Sequence, residues 1–307
     1  MWLLRLIFVC VSSIAFGHAA PLKPVRVAAN AYAFIGDIGK VSRINRGRIG
    51  NAGFFVAPEG IVVVDTGISY RYGREMVNAI RKISERPIRL AIITHAHQEF
   101  LMGASYFRAI KVPILTHIKT AHLMESRCEN CLHHLKEVLG EMEMRGTKVI
   151  VPDRIIDGSE FISVAGITLE LHQLGWGNTA GDLAVFNRSN GVLFAGGLVD
   201  VDRVPELRDA RLKDWEITLE KLAALPIKHL VPGHGPVSDA SAIDNFAVYL
   251  RTISRKAREL YNDNVSLSDA ESKGDLPGFK SWALYSEQHH KNIHRAYLEI
   301  EREDLEK

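Results

Sequence analysis

The run Ile88-Arg89-Leu90-Ala91-Ile92-Ile93-Thr94-His95-Ala96-His97-Gln98-Glu99-Phe100 decides how this chain is read. Its first half is a short, apolar, β-branched segment opened by Pro87, the pattern of a buried strand. Its second half places two imidazoles and a carboxylate at alternate positions. In an extended segment alternate side chains share a face, so His95, His97 and Glu99 are expected to converge. Two imidazoles and a carboxylate suit a first-row metal, with zinc the default. A His-x-His pair that merely hydrogen-bonds in a loop is the bland alternative.

Two further motifs flank this one. Asp65-Thr66-Gly67 closes the β-branched run Ile61-Val62-Val63-Val64, and Pro232-Gly233-His234-Gly235 closes the short strand His229-Leu230-Val231. Three polar motifs, each at a strand end, define one sheet edge more specifically than any of them alone. Between them, Arg71–Ser84 has helical spacing and a helix is expected from about Met102 to Ala109. The middle reads as helical from about Thr120 to Met144. Strands are expected near Val25–Ile35, Gly53–Ala57, Ile114-Leu115, Lys148–Pro152, Phe161–Val164, Ile167–Leu174, Asp182–Asn187 and Val192–Ala195. The last two are joined by Arg188-Ser189-Asn190-Gly191, whose Asn-Gly step signals a hairpin. Trp215–Leu225 and the charged tail from Ser238 read as helices, and Tyr261–Gly278 is the most loop-like stretch. Two mixed sheets with helices outside account for this alternation. No Gly-x-Gly-x-x-Gly turn supports a dinucleotide-binding sheet.

The chain has 307 residues, a formal charge of +2 and 47% hydrophobic residues, enough for one or two domains. Near-balanced charge argues against a nucleic-acid partner. Met1–Arg5 is a short positive start, Leu6–Phe16 is apolar, and Gly17-His18-Ala19 carries small residues where a signal peptidase reads. A secretory signal over residues 1–19 is expected, cut after Ala19, or after Ala20 with Pro21 beside the cut. The apolar stretch is shorter than the ~20 residues of a membrane span. The mature chain is therefore expected to be periplasmic or secreted and free of the membrane. Cys10 leaves with the leader. Cys128 and Cys131 then stand as a disulfide pair, as two quiet thiols on a helix, or as part of a small metal site with His133 and His134.

Together the motifs resemble the metallo-β-lactamase superfamily, over roughly Val25–Pro236. The resemblance implies an α/β (α+β) four-layer αββα sandwich over residues 20–237, with residues 238–307 as a helical C-terminal extension. It also implies metals at one sheet edge. The family motif His-x-His-x-Asp-His is met only in part. His95 and His97 match, Glu99 stands for the Asp, and Phe100 replaces the adjacent His. Asn178, in Gly177-Asn178-Thr179, takes the position of a later His; Gly197 takes that of the bridging Asp or Cys; His234 matches the last ligand.

A finer likeness is to the periplasmic quinoprotein relay system zinc metallohydrolases. It rests on Leu193-Phe194-Ala195-Gly196-Gly197, Arg203-Val204-Pro205, Trp215, Leu225-Pro226, Val231–Pro236, Arg127-Cys128-Glu129-Asn130-Cys131-Leu132, Gly146-Thr147 and Asn292–Glu299. It implies a small-molecule substrate or a periplasmic quinoprotein system as partner.

The implied activity is hydrolysis of an ester, thioester, lactone or amide by a zinc-bound hydroxide. The altered ligand set implies one zinc ion, on His95, His97 and His234, or none. Glu99 is then ligand or general base, and Asp65 supports the catalytic group from behind. Asn178 is a weak additional donor, and Asp182, before Asp200 or Asp202, is the first candidate to complete a rearranged site. The alternative is a non-catalytic binding or accessory protein of the same fold; a true β-lactamase ranks last. His117 and His122 read as surface or packing residues on helices, and His289, His290 and His294 as a solvated helix face in the tail. Trp176 reads as a cleft wall or a loop aromatic over the sheet edge.

Overall fold

The computed structural model describes residues 21–306; the leader expected over residues 1–19 lies outside them. Two sheets stack face to face. The first runs in chain order: β1 (Val25–Ala28), β2 (Ala31–Phe34), β3 (Ala52–Ala57), β4 (Gly60–Val64), β5 (Ile88–Ile92), β6 (Ile114–His117) and β7 (Arg154–Ile156). Its β1–β4 pairs are antiparallel and its β4–β7 pairs parallel. The second sheet holds β8 (Glu160–Val164), β9 (Ile167–His172), β10 (Ala184–Asn187), β11 (Val192–Asp200) and β12 (His229–His234). They follow one another antiparallel except for the parallel β11–β12 edge.

Strand alternation builds the layers. In β4, Ile61 and Val63 face outward, while Val62 and Val64 face the other sheet. In β11, Val192 and Phe194 face inward, while Leu193 and Ala195 face out. The inward set meets in one dry layer, where the Phe55 ring packs edge-on to Phe194 at 5.3 Å. Burial on both faces is why these strands read as continuous apolar runs rather than as clean alternation.

Helices close both outer faces. On the first sheet lie α1 (Tyr70–Arg81), α2 (Gln98–Leu101), α3 (Ala104–Ala109), α4 (Ile118–Leu139) and α5 (Glu141–Met144). Ser69 caps α1 by accepting from the Tyr72 N–H at 3.0 Å, and Tyr72, Met76, Val77 and Ile80 form its buried face. The second sheet is covered by α6 (Leu212–Ala223), α7 (Ser241–Asn262), α8 (Leu267–Lys273) and α9 (Tyr285–Leu305). Trp215, Phe246, Leu250, Ile253 and Ile293 share one core with Leu193, Leu198 and Leu230 of that sheet. The C-terminal helices beyond Ser238 extend the sandwich and pack into its outer layer. Among the described residues no helix is long and apolar enough to cross a membrane.

Several local expectations need correcting. Lys148–Pro152 is not a strand; β7 forms at Arg154–Ile156 instead. The middle helix breaks at Gly140, which sits at φ +87°, a conformation glycine adopts without a Cβ clash. The loop-like stretch Tyr261–Gly278 holds α8, capped by Ser266 on the Asp269 N–H. The segment Val25–Ile35 folds back on itself as the β1–β2 hairpin around Asn30, at φ +60°. The Asn190-Gly191 hairpin forms as read, pairing Asn187 with Val192.

Candidate functional site

The three strand-end motifs meet at one edge of the sandwich. A polar cavity of about 100 Å³ lies there, lined by His95, His97, Glu99, Asn178, Gly197, Asp200, Arg203 and His234 among others. His95 follows directly from β5, and its ring lies 4.9 Å from that of His97, centroid to centroid. Glu99 arrives differently from the strand-period expectation. The chain stops being extended at His97 and turns into α2, with Glu99 in its first turn. That turn aims the buried Glu99 carboxylate at the end of β12, where its Oε1 stands 3.2 Å from His234 Nε2.

His234 is held on its other side as well. Its Nδ1 lies 2.8 Å from Asp200 Oδ1. Register explains this contact, since Asp200 and His234 are paired across the parallel β11–β12 edge. Arg203 adds positive charge behind them, with Nη1 3.9 Å from Asp200 Oδ2 and Nε donating to the Ile38 carbonyl at 3.0 Å. The Pro232–Gly235 turn that carries His234 is pinned from β3's start: Asn51 Nδ2 donates to the Pro232 and Gly235 carbonyls at 2.9 and 2.8 Å.

The electrostatics follow from that geometry. Burial alone would raise the Glu99 carboxyl, but the hydrogen bond with His234 and the nearby charges of His97, His234 and Arg203 hold it well below the carboxylate range. Burial and Arg203 work against a charged His234, yet Asp200 and Glu99 prevail and raise its pKa. The centre is therefore a buried Asp200–His234–Glu99 chain in which the two carboxyl groups favour the protonated form of the imidazole between them. Burial and the neighbouring His97 push His95 the other way, well below the usual imidazole value, so it stays neutral.

Asp65 does not line the cavity. It sits at φ +59° and accepts from the Thr94 backbone N–H at 2.8 Å and from the Thr94 hydroxyl. That hydroxyl is in turn 3.2 Å from His95 Nδ1. Asp65 therefore positions His95 through Thr94, and burial raises its own pKa to about 8 despite the two Thr94 contacts. Asp182 does not complete the site. Both of its carboxylate oxygens are taken by Thr179, one by the backbone N–H at 2.9 Å and one by the hydroxyl; it closes a buried turn. Asp202 is not among the cavity-lining residues.

Asn178 does reach the cavity. Its Nδ2 donates to the Glu206 carbonyl at 3.2 Å, while its buried Oδ1 has no hydrogen-bond partner. Gly197 leaves room for the His95 ring: a Cβ there would fall 2.7 Å from His95 Cδ2. Phe100 is buried against both histidines, its ring centroid 4.2 Å from that of His95 and 5.3 Å from that of His234.

These residues do not fit the zinc that the family resemblance implies on His95, His97 and His234. Asp200 takes one nitrogen of His234 and Glu99 stands 3.2 Å from the other, Phe100 packs against the rings of both His95 and His234, and Asn178 offers only an amide oxygen. Among the described residues no group of three or more His, Cys, Asp or Glu side chains is placed to hold a metal ion. A small site built on Cys128, Cys131, His133 and His134 is absent on the same ground.

Some cavity-lining positions were not legible in the sequence. Asp200 was named only as a substitute ligand, and its place behind His234 depends on strand register. Arg203, quoted from the sequence only as part of a motif likeness, also lines the cavity, as do Glu206 and, from the C-terminal layer, Leu284 and Gln288, which no local pattern marks. Among the outlying histidines, His117 and His289 are buried rather than solvated. His117 caps α4, and His289 bonds Tyr249 and the Gly274 carbonyl. Trp176 is fixed by donating to the Asp209 carbonyl at 2.8 Å and stacks under Arg211 at 3.8 Å.

An αββα sandwich with a polar cleft at the strand ends, walled by histidines and carboxylates, defines a class of hydrolase-like proteins. The chain belongs to the Metallo-beta-lactamase superfamily, which it matches over residues 45–234, more than half its length. It is 23% identical over 222 residues to a linear primary-alkylsulfatase from a Pseudomonas species, covering 61% of this chain and 42% of that protein. It is 24% identical over 187 residues to a metallo-beta-lactamase type 2 from a Bacillus species, covering 59% of this chain and 65% of that one. The chain thus spans less than two thirds of each relative. Among solved structures, a metallo-beta-lactamase from Pontibacter korlensis superposes with a TM-score of 0.62 at 23% identity, over 75% of this chain and 99% of that one. The FIM-1 metallo-beta-lactamase from Pseudomonas aeruginosa, in a mono-zinc form, gives 0.60 at 16%, over 76% and 96%. These likenesses carry the fold.

Proposed function

We propose that the protein is a hydrolase that cleaves a small ester, thioester, lactone or amide in the His95–His234 cleft. The observation that carries this reading is the buried Asp200–His234–Glu99 chain opening on a polar cavity at the strand ends. Glu99, ionised and backed by His234, accepts the proton of an attacking water. Asp200 holds the His234 ring in orientation and balances its charge. Asn178 Oδ1, which lacks a partner inside the protein, accepts from an N–H or O–H of the substrate. Arg203 adds positive charge where negative charge develops on the carbonyl oxygen.

We infer from the leader expected over residues 1–19 that this activity is exported, and from the Arg127–Leu132 and Asn292–Glu299 stretches that it serves a periplasmic quinoprotein system. Both assignments rest on sequence pattern alone. A second reading, a non-catalytic binding protein, is favoured by Phe100, Asn178 and Gly197 at positions where the family carries ligands.

The experiment is a panel of chromogenic esters, thioesters and lactones turned over by wild type and by His234→Ala, with metal content measured on the same samples. Turnover that falls at least about a hundredfold in the variant supports the hydrolase. No turnover of any panel member, with tight retention of a small molecule through purification, establishes the binding reading instead.

A further inference from the structure

Beside the cavity, and sharing His97, Glu99, Arg203 and Glu206 with it, lies a wider cleft of about 460 Å³ that also exposes Lys40, Asn130, Cys131, His134 and Arg208. Cys131 stands on α4 one turn after Cys128. Helix geometry sets the Cα atoms of such a pair about 5 Å apart, within the roughly 4.4–6.8 Å that a disulfide spans. The two sulfurs are unequal. Cys128 is 1% exposed and packs in the core with Met124, Leu132 and Leu135, whereas Cys131 is half-buried on the cleft wall. Both are free thiols.

We propose that Cys131 and Cys128 form a thiol–disulfide exchange site opening into this cleft, with a small, charged disulfide as its substrate. A quiet structural pair would bury both thiols; this pair exposes one and shields the other. The cleft volume suits a small molecule rather than a protein loop, and Lys40, Arg203, Arg208, Glu99 and Glu206 make its wall charged. Supporting this, the Cys128 S–H bonded to Cys131, and then Arg208, bring the Cys131 thiol down to about 7 against the effect of burial. The hydrogen bond with Cys131, followed by burial, raises Cys128 far above the ordinary thiol value.

The Cys131 thiolate attacks one sulfur of the substrate, forming a mixed disulfide and expelling the other half as a thiolate that takes up a proton. Cys128 then gives up its proton and attacks Cys131 Sγ, forming the Cys128–Cys131 bond and expelling the second half as a thiol. Two protein thiols are oxidised, and one disulfide is reduced to two thiols.

The test uses the reduced full-length chain carrying Cys10→Ser, treated with glutathione disulfide and followed by intact-mass and peptide mapping. The expected product is an internal Cys128–Cys131 disulfide, with two glutathione molecules released and none retained. Cys128→Ala should stop at one glutathione held on Cys131, and Cys131→Ser should react at least about a hundredfold more slowly, since only the shielded thiol remains. A stable glutathione adduct on Cys131 in the parent chain overturns the proposal, as does labelling that starts at Cys128. If Cys128→Ala does not fold, the mapping of the parent product decides alone.

Discussion

Glu99→Gln tests the centre of the site most directly. The substitution keeps the shape of the side chain and removes one negative charge. Glu99 and His234 have side chains only 8% and 5% exposed, so solvent screens their interaction little. Removing one partner of a buried ion pair costs about 3–5 kcal/mol. Here Asp200 remains 2.8 Å from His234 as a second counter-charge, and a Gln amide can still bond Nε2, so the lower end, about 3 kcal/mol, is expected. Unfolding entropy near 2.1 cal/mol/K per residue comes to about 0.6 kcal/mol/K for a chain of this size, which turns that loss into a fall in Tm of about 5 °C.

The pH dependence supplies a second readout. His234 has a raised folded-state pKa, so its contribution is complete below the unfolded value of 6.5 and fades as pH climbs through the folded one. Glu99 has a depressed pKa, so its contribution is present above 4.5 and disappears as pH falls through the folded value. Both contributions should therefore be present between pH 4.5 and 6.5; above pH 6.5 that of His234 declines, on top of the loss that buried Asp65, with its raised pKa, brings as pH rises, and the His234 part of the alkaline decline should shrink in Glu99→Gln. Circular-dichroism melts from pH 4 to pH 9, with turnover measured on the same samples, provide the assay. Turnover should drop by about 10²–10⁴ if Glu99 is the general base. A variant that melts within 1 °C of wild type across the range, with unchanged turnover, would refute both the ion pair and the assigned role.

Three further outcomes are expected. Gly197→Ala places a Cβ 2.7 Å from the His95 ring, so it should cost about 1–3 kcal/mol in chemical denaturation and reduce turnover by displacing His95. Asp182→Ala leaves the buried Thr179 N–H and hydroxyl without their acceptor; it should destabilise by about 1–3 kcal/mol without changing metal content, and a matched loss of bound metal would show that Asp182 is a ligand after all. Protein dialysed against a weak chelator should carry less than stoichiometric zinc by elemental analysis and leave nitrocefin intact, whereas one tightly held zinc per chain would contradict the described donor arrangement.

What could be read from the chain alone was whatever is local. The β-branched run Ile61–Val64, the apolar Ile88–Ile93 and the Asn190-Gly191 turn each carry their conformation in adjacent residues, so the strands and the two-sheet sandwich were legible. His95, His97 and His234 were legible as site residues because strand ends announce themselves by sharp changes in polarity. Period-two reasoning did bring Glu99 to the same cavity, although the path there is a helical turn that the pattern did not show. Contacts that depend on register or on packing between distant segments belonged to the tertiary structure alone. Asp200 meets His234 because β11 and β12 pair in parallel across a 34-residue separation. Asp182 is held in a buried turn because Thr179 bonds both its oxygens, and Gln288 reaches the cavity from the far end of the chain because α9 packs over the second sheet. Side-chain chemistry named the candidates; only the packed chain, in which Phe100 lies against His95 and His234 and carboxylates face both nitrogens of His234, determined which of them come together.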